Sequence, residues 1–396
     1  MNEQLVVKNF GPIKDATVDF KRVTVFIGPT GGGKSTLAKL AAVFREYISF
    51  LSKSEVNKLF SRYGIKTYFD ERSNIDWTAF PGRIIYSDDK WKNAFHKVIQ
   101  HERDEARVLI TEVSKELSLL KELLNEGQTD SDYRVRVDEL RRKQVNVETF
   151  IKKYAAPNSP HYIPAERILL STLGSSWPDL ISEKVNLPDT LLLFAKQFLK
   201  ARDDIQDLTL PEVGVRYRFD NGNDRIILQN DKVVLLSETA SGIQSVTPLL
   251  VLLEHLSRNT EQAQSFIIEE PELNLYPTAQ QGLLNWLVEK CTKGENDLTI
   301  TTHSPYILSH LNLLLYAYQV AEQYPERREQ VAAIVPESSW INPKEFACYQ
   351  VENGGVQSLV DDDLGLIDNN ELDALSGDAA DAFDNLIRLS KAVAIK

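Results

Sequence analysis

Apolar and polar residues alternate near the amino terminus. Leu5-Val6-Val7 and Ala16-Thr17-Val18-Asp19-Phe20 have a strand's period, and Val23-Thr24-Val25-Phe26-Ile27 is a β-branched strand run. The period then changes to a helix, with Leu37, Leu40, Ala41 and Phe44 at helical spacing. From residue 96 to 155 the texture is dense charge on a heptad. Ala106, Ile110, Val113, Leu117, Leu120 and Leu124 step by four and three, and Tyr133, Val137, Leu140, Gln144, Val147, Ile151 and Tyr154 do the same after a polar break at 125–132. This pattern predicts an antiparallel helical hairpin with a coiled-coil seam, projecting about 35–40 Å at ~1.5 Å per residue. Pro157, Pro160 and Pro164 close the insertion.

Residues 213–236 read as a strand meander turned at 221–224, followed by a helical run through Val246, Leu249, Leu250 and Leu253. Apolar strands follow at 265–268 and 298–302, and a hairpin at 347–351 and 356–360 turns on Asn353-Gly354-Gly355. The class is α/β. Four segments are expected: 1–95 as one lobe of a core domain, 96–155 as the inserted hairpin, 156–320 as the second lobe, and 321–396 as an acidic α/β extension.

Candidate chemistry sharpens this picture. Gly28-Pro29-Thr30-Gly31-Gly32-Gly33-Lys34-Ser35-Thr36 follows the third strand and opens the first helix, the order of a phosphate-binding loop. Its glycines let backbone N–H groups curl around phosphate oxygens, and the helix N-terminus adds a favourable dipole. Lys34 would reach the β- and γ-phosphates, and the Ser35 hydroxyl would ligate Mg²⁺. The implied ligand is a nucleoside triphosphate, ATP with Mg²⁺.

Three further motifs bear on the class. Ser265-Phe266-Ile267-Ile268 ends in Glu269 and Glu270; one carboxylate can hold the Mg²⁺ shell and its neighbour can orient or deprotonate an attacking water. Ser241 and Gly242 start a helix, where they serve either as an anion site or as an ordinary cap. The strand 298–302 delivers His303 at its carboxyl end, in the place of a γ-phosphate sensor.

Taken in this order, the phosphate loop, the Ser-Gly-x-Gln phrase, the acidic strand and the histidine resemble the ABC-type ATPase heads of SMC proteins and RecF. The phrases Asn9-Phe10-Gly11-Pro12-Ile13-Lys14, Tyr162-Ile163-Pro164-Ala165-Glu166-Arg167, Glu269-Glu270-Pro271-Glu272-Leu273 and Thr302-His303-Ser304-Pro305-Tyr306 resemble the ATPase domain of the overcoming-lysogenisation-defect (OLD) family. The resemblance covers most of 1–320. It implies an ABC-type head with a mixed sheet, Glu270 as catalytic carboxylate, Glu269 with Ser35 at the metal, and His303 as switch residue. It also implies that Ser241 and Gly242 contact the γ-phosphate bound by a second copy. Glu269 stands where aspartate is commoner, Thr30 replaces the usual asparagine, and Asn274-Leu275-Tyr276-Pro277 replaces a histidine-rich phrase; slow hydrolysis is expected. The glutamine-bearing loop has no clear place, and Arg167 reads either as an ion-pair partner or as a cation near the nucleotide.

Composition limits the partners. The net charge of the 396 residues is −12, so nucleic-acid contact requires a local patch. The returning arm of the hairpin supplies a candidate in Arg134, Arg136, Arg141, Arg142, Lys143, Lys152 and Lys153. The acidic outgoing arm could instead absorb that charge in salt bridges. Residues 345–387 contain no lysine or arginine. Asp361-Asp362-Asp363 falls short of a Toprim nuclease, which needs a longer unit with a separate glutamate, so the nuclease half of OLD enzymes is not expected. Cys291 and Cys348 have no metal-type spacing, no leader pattern is visible, and no apolar run approaches roughly 18 residues; a cytoplasmic protein without membrane contact is expected.

The resemblance extends to function. It implies a self-assembling ATPase that controls a separate effector protein in bacterial anti-phage defence. The alternatives are a RecF-like DNA-repair ATPase and, less consistent with the hairpin and the Glu-Pro-Glu phrase, a transporter subunit.

Overall fold

The structure, a computed structural model, describes residues 3–46, 53–79, 82–88, 90–95, 159–183, 186–258, 262–368, 383, 386 and 387. The hairpin expected over 96–155 lies outside the described residues. The chain begins with an antiparallel pair, β1 (Glu3–Phe10) and β2 (Ile13–Phe20), and continues into β3 (Val23–Ile27), which ends at the glycine loop. Helix α1 (Lys34–Arg45) leaves the loop, and α2 (Lys53–Arg62) follows. Strands β4 (Asn74–Ala79), β5 (Gly82–Ser87) and β6 (Lys90–Phe95) then extend the first pair into a five-stranded antiparallel sheet of order β2-β1-β4-β5-β6.

The second half opens with β7 (Ser159–Ile163), two short helices α3 (Ile168–Leu173) and α4 (Trp177–Ser182), and the longer α5 (Asp189–Asp204). The expected meander forms, with one strand more: β8 (Asp207–Leu210), β9 (Val215–Asp220), β10 (Asn223–Ile227) and β11 (Val233–Leu235) lie in sequence order in a four-stranded antiparallel sheet. After it come α6 (Ser241–Ser257), β12 (Gln264–Glu269), α7 (Pro277–Cys291), β13 (Asp297–Thr301), α8 (Pro305–Gln323) and α9 (Arg328–Ala332). The hairpin β14 (Phe346–Glu352) and β15 (Gly355–Ser358) closes the order, turning on Asn353 and Gly354 at φ 52° and 84°.

The central sheet has the order β15-β14-β3-β13-β12-β7, parallel except for the edge strand β15. Its inner strands are apolar because helices or a second sheet cover both faces. The strand period divides them between two cores. Val23, Val25, Ile27, Phe266, Ile268, Leu298, Ile300, Phe346 and Cys348 enter one core with α5 to α8; Phe26, Ile267, Ala347, Tyr349 and Val351 enter the other with α1 and the antiparallel sheet. Residues 321–396, read as an extension, thus contribute β14 directly beside the phosphate-loop strand.

A buried ion cluster ties α1 to this framework. The Arg45 guanidinium, 6% exposed, pairs with Glu3 at 2.6 Å and Asp297 at 2.9 Å and donates to the Ser265 hydroxyl at 2.6 Å. Charges this deep are tolerated only when fully paired. In α6, Pro248 cannot donate to the carbonyl of Gln244, and the Ser171 hydroxyl of α3 donates to that carbonyl instead, at 2.6 Å.

Candidate functional site

Four parallel strands deliver their carboxyl ends to one crevice, the usual binding position in such sheets. At the end of β3, Gly28 has φ 136°, and a Cβ there would lie 2.3 Å from the carbonyl oxygen of Val351 on β14. A Cβ on Gly32 would lie 2.5 Å from the same oxygen. The neighbouring strand therefore forms the back wall of the loop, and only glycine fits against it. Gly33 is the N-cap of α1, and Lys34 begins the helix. The Lys34 ammonium donates to the carbonyls of Gly28 at 2.7 Å and Pro29 at 3.0 Å. Burial pushes its pKa down, opposed by the carboxylates of Glu270, Glu272 and Glu269.

A cavity of about 370 Å³ opens over this loop. Thr30, Gly31, Gly33, Lys34, Ser35 and Thr36 line its floor, Gly11, Pro12 and Tyr68 one side, and Glu270 with His303 the far end. Gly28, Pro29 and Gly32 shape the loop without lining the cavity. The His303 ring nitrogen Nε2 lies 3.1 Å from Glu270 Oε1. Residues from β3, β12 and β13, far apart in sequence, thus meet at one end of the phosphate loop.

Glu270 occupies a strained backbone position, φ 42°. Its N–H donates to the Thr301 carbonyl at 2.9 Å. Its own carbonyl accepts from Arg167 at 2.6 Å, and the Glu269 carbonyl accepts from the same guanidinium at 2.7 Å. Arg167 is fully buried, and burial lowers its pKa to about 10. The carboxylates of Glu272, Glu270, Glu269 and Glu166 act on it electrostatically, but its hydrogen bonds go elsewhere. It neither closes a salt bridge among the described residues nor lines the cavity; it grips the main chain that carries both carboxylates.

Glu269, the last residue of β12, is buried, 5% exposed, and its charge acts on the Lys34 ammonium. Its buried Oε1 has no hydrogen bond of good geometry; the Tyr162 hydroxyl interacts with this carboxylate, and its pKa is held high by burial and by the Glu269 charge. An orphaned acceptor of this kind suits a hydrated divalent cation. With the glycine cradle, Lys34 and Ser35, the residues present fit ATP and Mg²⁺.

Ser241 and Gly242 are not brought to this cavity. They stand at the first turn of α6, Ser241 exposed, with Gly242 packed so closely on the loop after β12 that a Cβ would lie 2.6 Å from the Asn274 carbonyl oxygen. Gln244 braces this corner by donating to the carbonyls of Ser237 at 3.0 Å and Thr239 at 2.7 Å.

Two participants had no role assigned from sequence. Tyr68 reaches the cavity from a short 3₁₀ turn, Lys66–Tyr68, which no periodicity marks. Glu272 accepts from the Thr302 hydroxyl at 2.6 Å and from the His303 N–H at 3.0 Å. The Glu-Pro-Glu phrase was its only visible signal.

Comparison with known proteins concerns the domain and the fold. The sequence model of the AAA ATPase domain family matches residues 138–308, a little under half of the chain. That span includes Ser241, Glu270 and His303 and leaves out the phosphate loop at 28–36. Among solved structures, the SMC head domain from Thermotoga maritima is 11% identical, with 90% of this chain and 98% of that one covered and a TM-score of 0.40. The Pyrococcus furiosus Smc head with an extended coiled coil, bound to the C-terminal domain of ScpA, is 10% identical over 90% and 94%, TM-score 0.38. The recombination mediator protein RecF is 12% identical over 90% and 97%, TM-score 0.35. No curated protein sequence matches the chain. Among the described residues, no helix is long and apolar enough to cross a membrane. The domain match and the assembled cavity together indicate an ATPase with a P-loop nucleotide site.

Proposed function

We propose that this chain is a Mg²⁺-dependent ATPase whose composite pockets form between two copies. The observation that carries the reading is the single cavity on which Lys34, Ser35, Glu270 and His303 converge. Backbone N–H groups of residues 30–34 and the Lys34 ammonium hold the phosphate tail and oppose its charge. Glu270 orients the attacking water and accepts its proton, and His303, in contact with Glu270, senses the terminal phosphate. Ser35 and, through a water shell, Glu269 would hold Mg²⁺, which would supply charge neutralisation at the phosphates.

The exposed Ser241-Gly242 turn, outside its own cavity, supports the second half of the proposal. A helix start of this kind is completed by a phosphate bound to another copy. Light scattering of Glu270→Gln protein with ATP and Mg²⁺ tests it. The expected result is a nucleotide-dependent doubling of mass that Lys34→Ala abolishes. An unchanged mass and shape would refute the composite pocket.

The work done with this cycle is control of a separate effector protein in anti-phage defence, a reading that rests on the OLD-like phrases of the sequence. It predicts that Glu270→Gln protein retains the product of a neighbouring gene in an ATP-dependent manner. A DNA-binding ATPase of RecF or SMC type fits the same pocket, and duplex affinity that falls steeply with salt would favour it.

A further inference from the structure

The turn after β12 carries two carboxylates into the same region, and only one of them lines the cavity. Glu270 meets His303 there. Glu272, 8% exposed, points into the protein, and its Oε1 accepts from the Thr302 hydroxyl at 2.6 Å and the His303 N–H at 3.0 Å. Its Oε2 is buried without a hydrogen bond among the described residues, and the carboxylate's charge acts on the buried Arg167 guanidinium. A carboxylate that leaves one oxygen without a hydrogen bond in the interior costs stability, and what it holds is read from the bonds of the other oxygen.

The surroundings define what is held. The turn is stiff, because Leu273 N–H donates to the Glu270 carbonyl at 3.1 Å and Leu275 N–H to the Glu272 carbonyl at 3.0 Å. From the opposite side, Thr302 N–H donates to the Phe26 carbonyl at 2.9 Å, fixing this segment to the phosphate-loop strand. The Thr302 hydroxyl also accepts from Ser304 N–H at 3.0 Å, and the Ser304 hydroxyl donates to Gln280 at 2.5 Å. Residues 302–304 are therefore held at several points, and the bonds to Glu272 reach the main chain of the histidine itself.

From this geometry we infer that Glu272 is the positioning residue that places the His303 ring against Glu270, so that one rigid turn supplies both the catalytic carboxylate and the brace for its partner. The inference rests on the hydrolytic reading of the Glu270–His303 pair. It requires an acceptor at Oε1 and no negative charge. Glutamine should replace glutamate, and alanine should not.

Steady-state ATP hydrolysis by the full chain tests this with Glu272→Gln, Glu272→Ala, His303→Ala and the Glu272→Ala/His303→Ala double variant. Glu272→Ala is expected to lower kcat about tenfold to a hundredfold, the scale of a catalytic group displaced by roughly 1 Å, with KM for ATP within about twofold. Glu272→Gln should stay within about threefold of the parent kcat. The double variant should be no slower than His303→Ala alone, because both changes remove one function. If Glu272→Ala does not fold, Thr302→Val removes the hydroxyl donor without changing side-chain size and should reproduce the kcat loss. Glu272→Gln as slow as Glu272→Ala, additive losses in the double variant, or parental kcat in both Glu272→Ala and Thr302→Val would each overturn the inference. Failure of the underlying reading looks different: His303→Ala and Glu270→Gln would themselves retain parental kcat.

Discussion

Arg167 offers the most quantitative test of how the site is held. Its guanidinium donates to the Glu270 carbonyl at 2.6 Å and the Glu269 carbonyl at 2.7 Å, with a longer bond of 3.3 Å to Pro164. In Arg167→Met the stem is approximately kept and the donors are lost. Each short charge-assisted bond is worth about 1.5–3 kcal/mol, so the gross loss is roughly 3–6 kcal/mol. Part of this returns, because the substitution removes a fully buried cation whose desolvation costs several kcal/mol. The net expectation is a destabilisation of about 1–3 kcal/mol, since the Glu269 carbonyl loses its donor while the Glu270 carbonyl keeps the Leu273 N–H at 3.1 Å. Urea denaturation at constant slope measures it. Activity should suffer beyond stability. The backbone of Glu270, held at φ 42°, stores roughly 1–3 kcal/mol of strain that can relax once the Arg167 guanidinium no longer grips its carbonyl. The carboxylate then leaves His303, and kcat falls while KM for ATP changes little, because Arg167 does not line the cavity. A Met variant within about 0.5 kcal/mol of the parent and with unchanged kcat would refute the clamp.

Other consequences can be measured in the same way. Gly28→Ala places a Cβ 2.3 Å from the Val351 carbonyl at a left-handed φ, so nucleotide affinity in a fluorescent-ATP titration should fall at least about tenfold, with loss of thermal stability. Arg45→Met leaves Glu3 and Asp297 buried without their shared cation and should cost about 3–5 kcal/mol in urea denaturation, whereas Arg83→Met, at an exposed pair, should cost under about 1 kcal/mol. Burial lowers the His161 pKa from 6.5 to about 4. The unfolded chain thus binds the extra proton first, and this contribution to stability, complete above pH 6.5, is lost as pH falls toward 4. His161→Phe should flatten the stability profile across that window.

The sequence alone determined what local chemistry can encode. The glycine loop is legible because strand, glycines, lysine and helix are contiguous, so one short stretch specifies both backbone path and ligand charge. The acidic strand and the histidine strand are legible for the same reason: an apolar run announces the strand, and the residue after it is its carboxyl end. The meander and the hairpin at 347–360 were visible through their Asn-Gly turns. Strands β4 to β6 went unread although Ile75 and Trp77 alternate with polar neighbours, because the runs are short and their Trp and Tyr side chains are only partly apolar.

What the tertiary structure decided is everything that depends on two distant segments touching. No local signal says that the backbone of Val351 passes close enough to Gly28 and Gly32 to exclude a methyl group, or that β14 lies beside β3. Tyr68 joins the cavity only because its turn folds over Gly11. Arg167 and Glu272 are the clearest cases. A buried arginine and a buried glutamate suggest an ion pair when read as letters, yet each spends its hydrogen bonds chiefly on groups near the hydrolytic pair, Arg167 on two carbonyls and Glu272 on an N–H and a hydroxyl. Main-chain donors and acceptors are the same in every residue and leave no trace in composition, so only the folded chain could show which of them these two side chains serve.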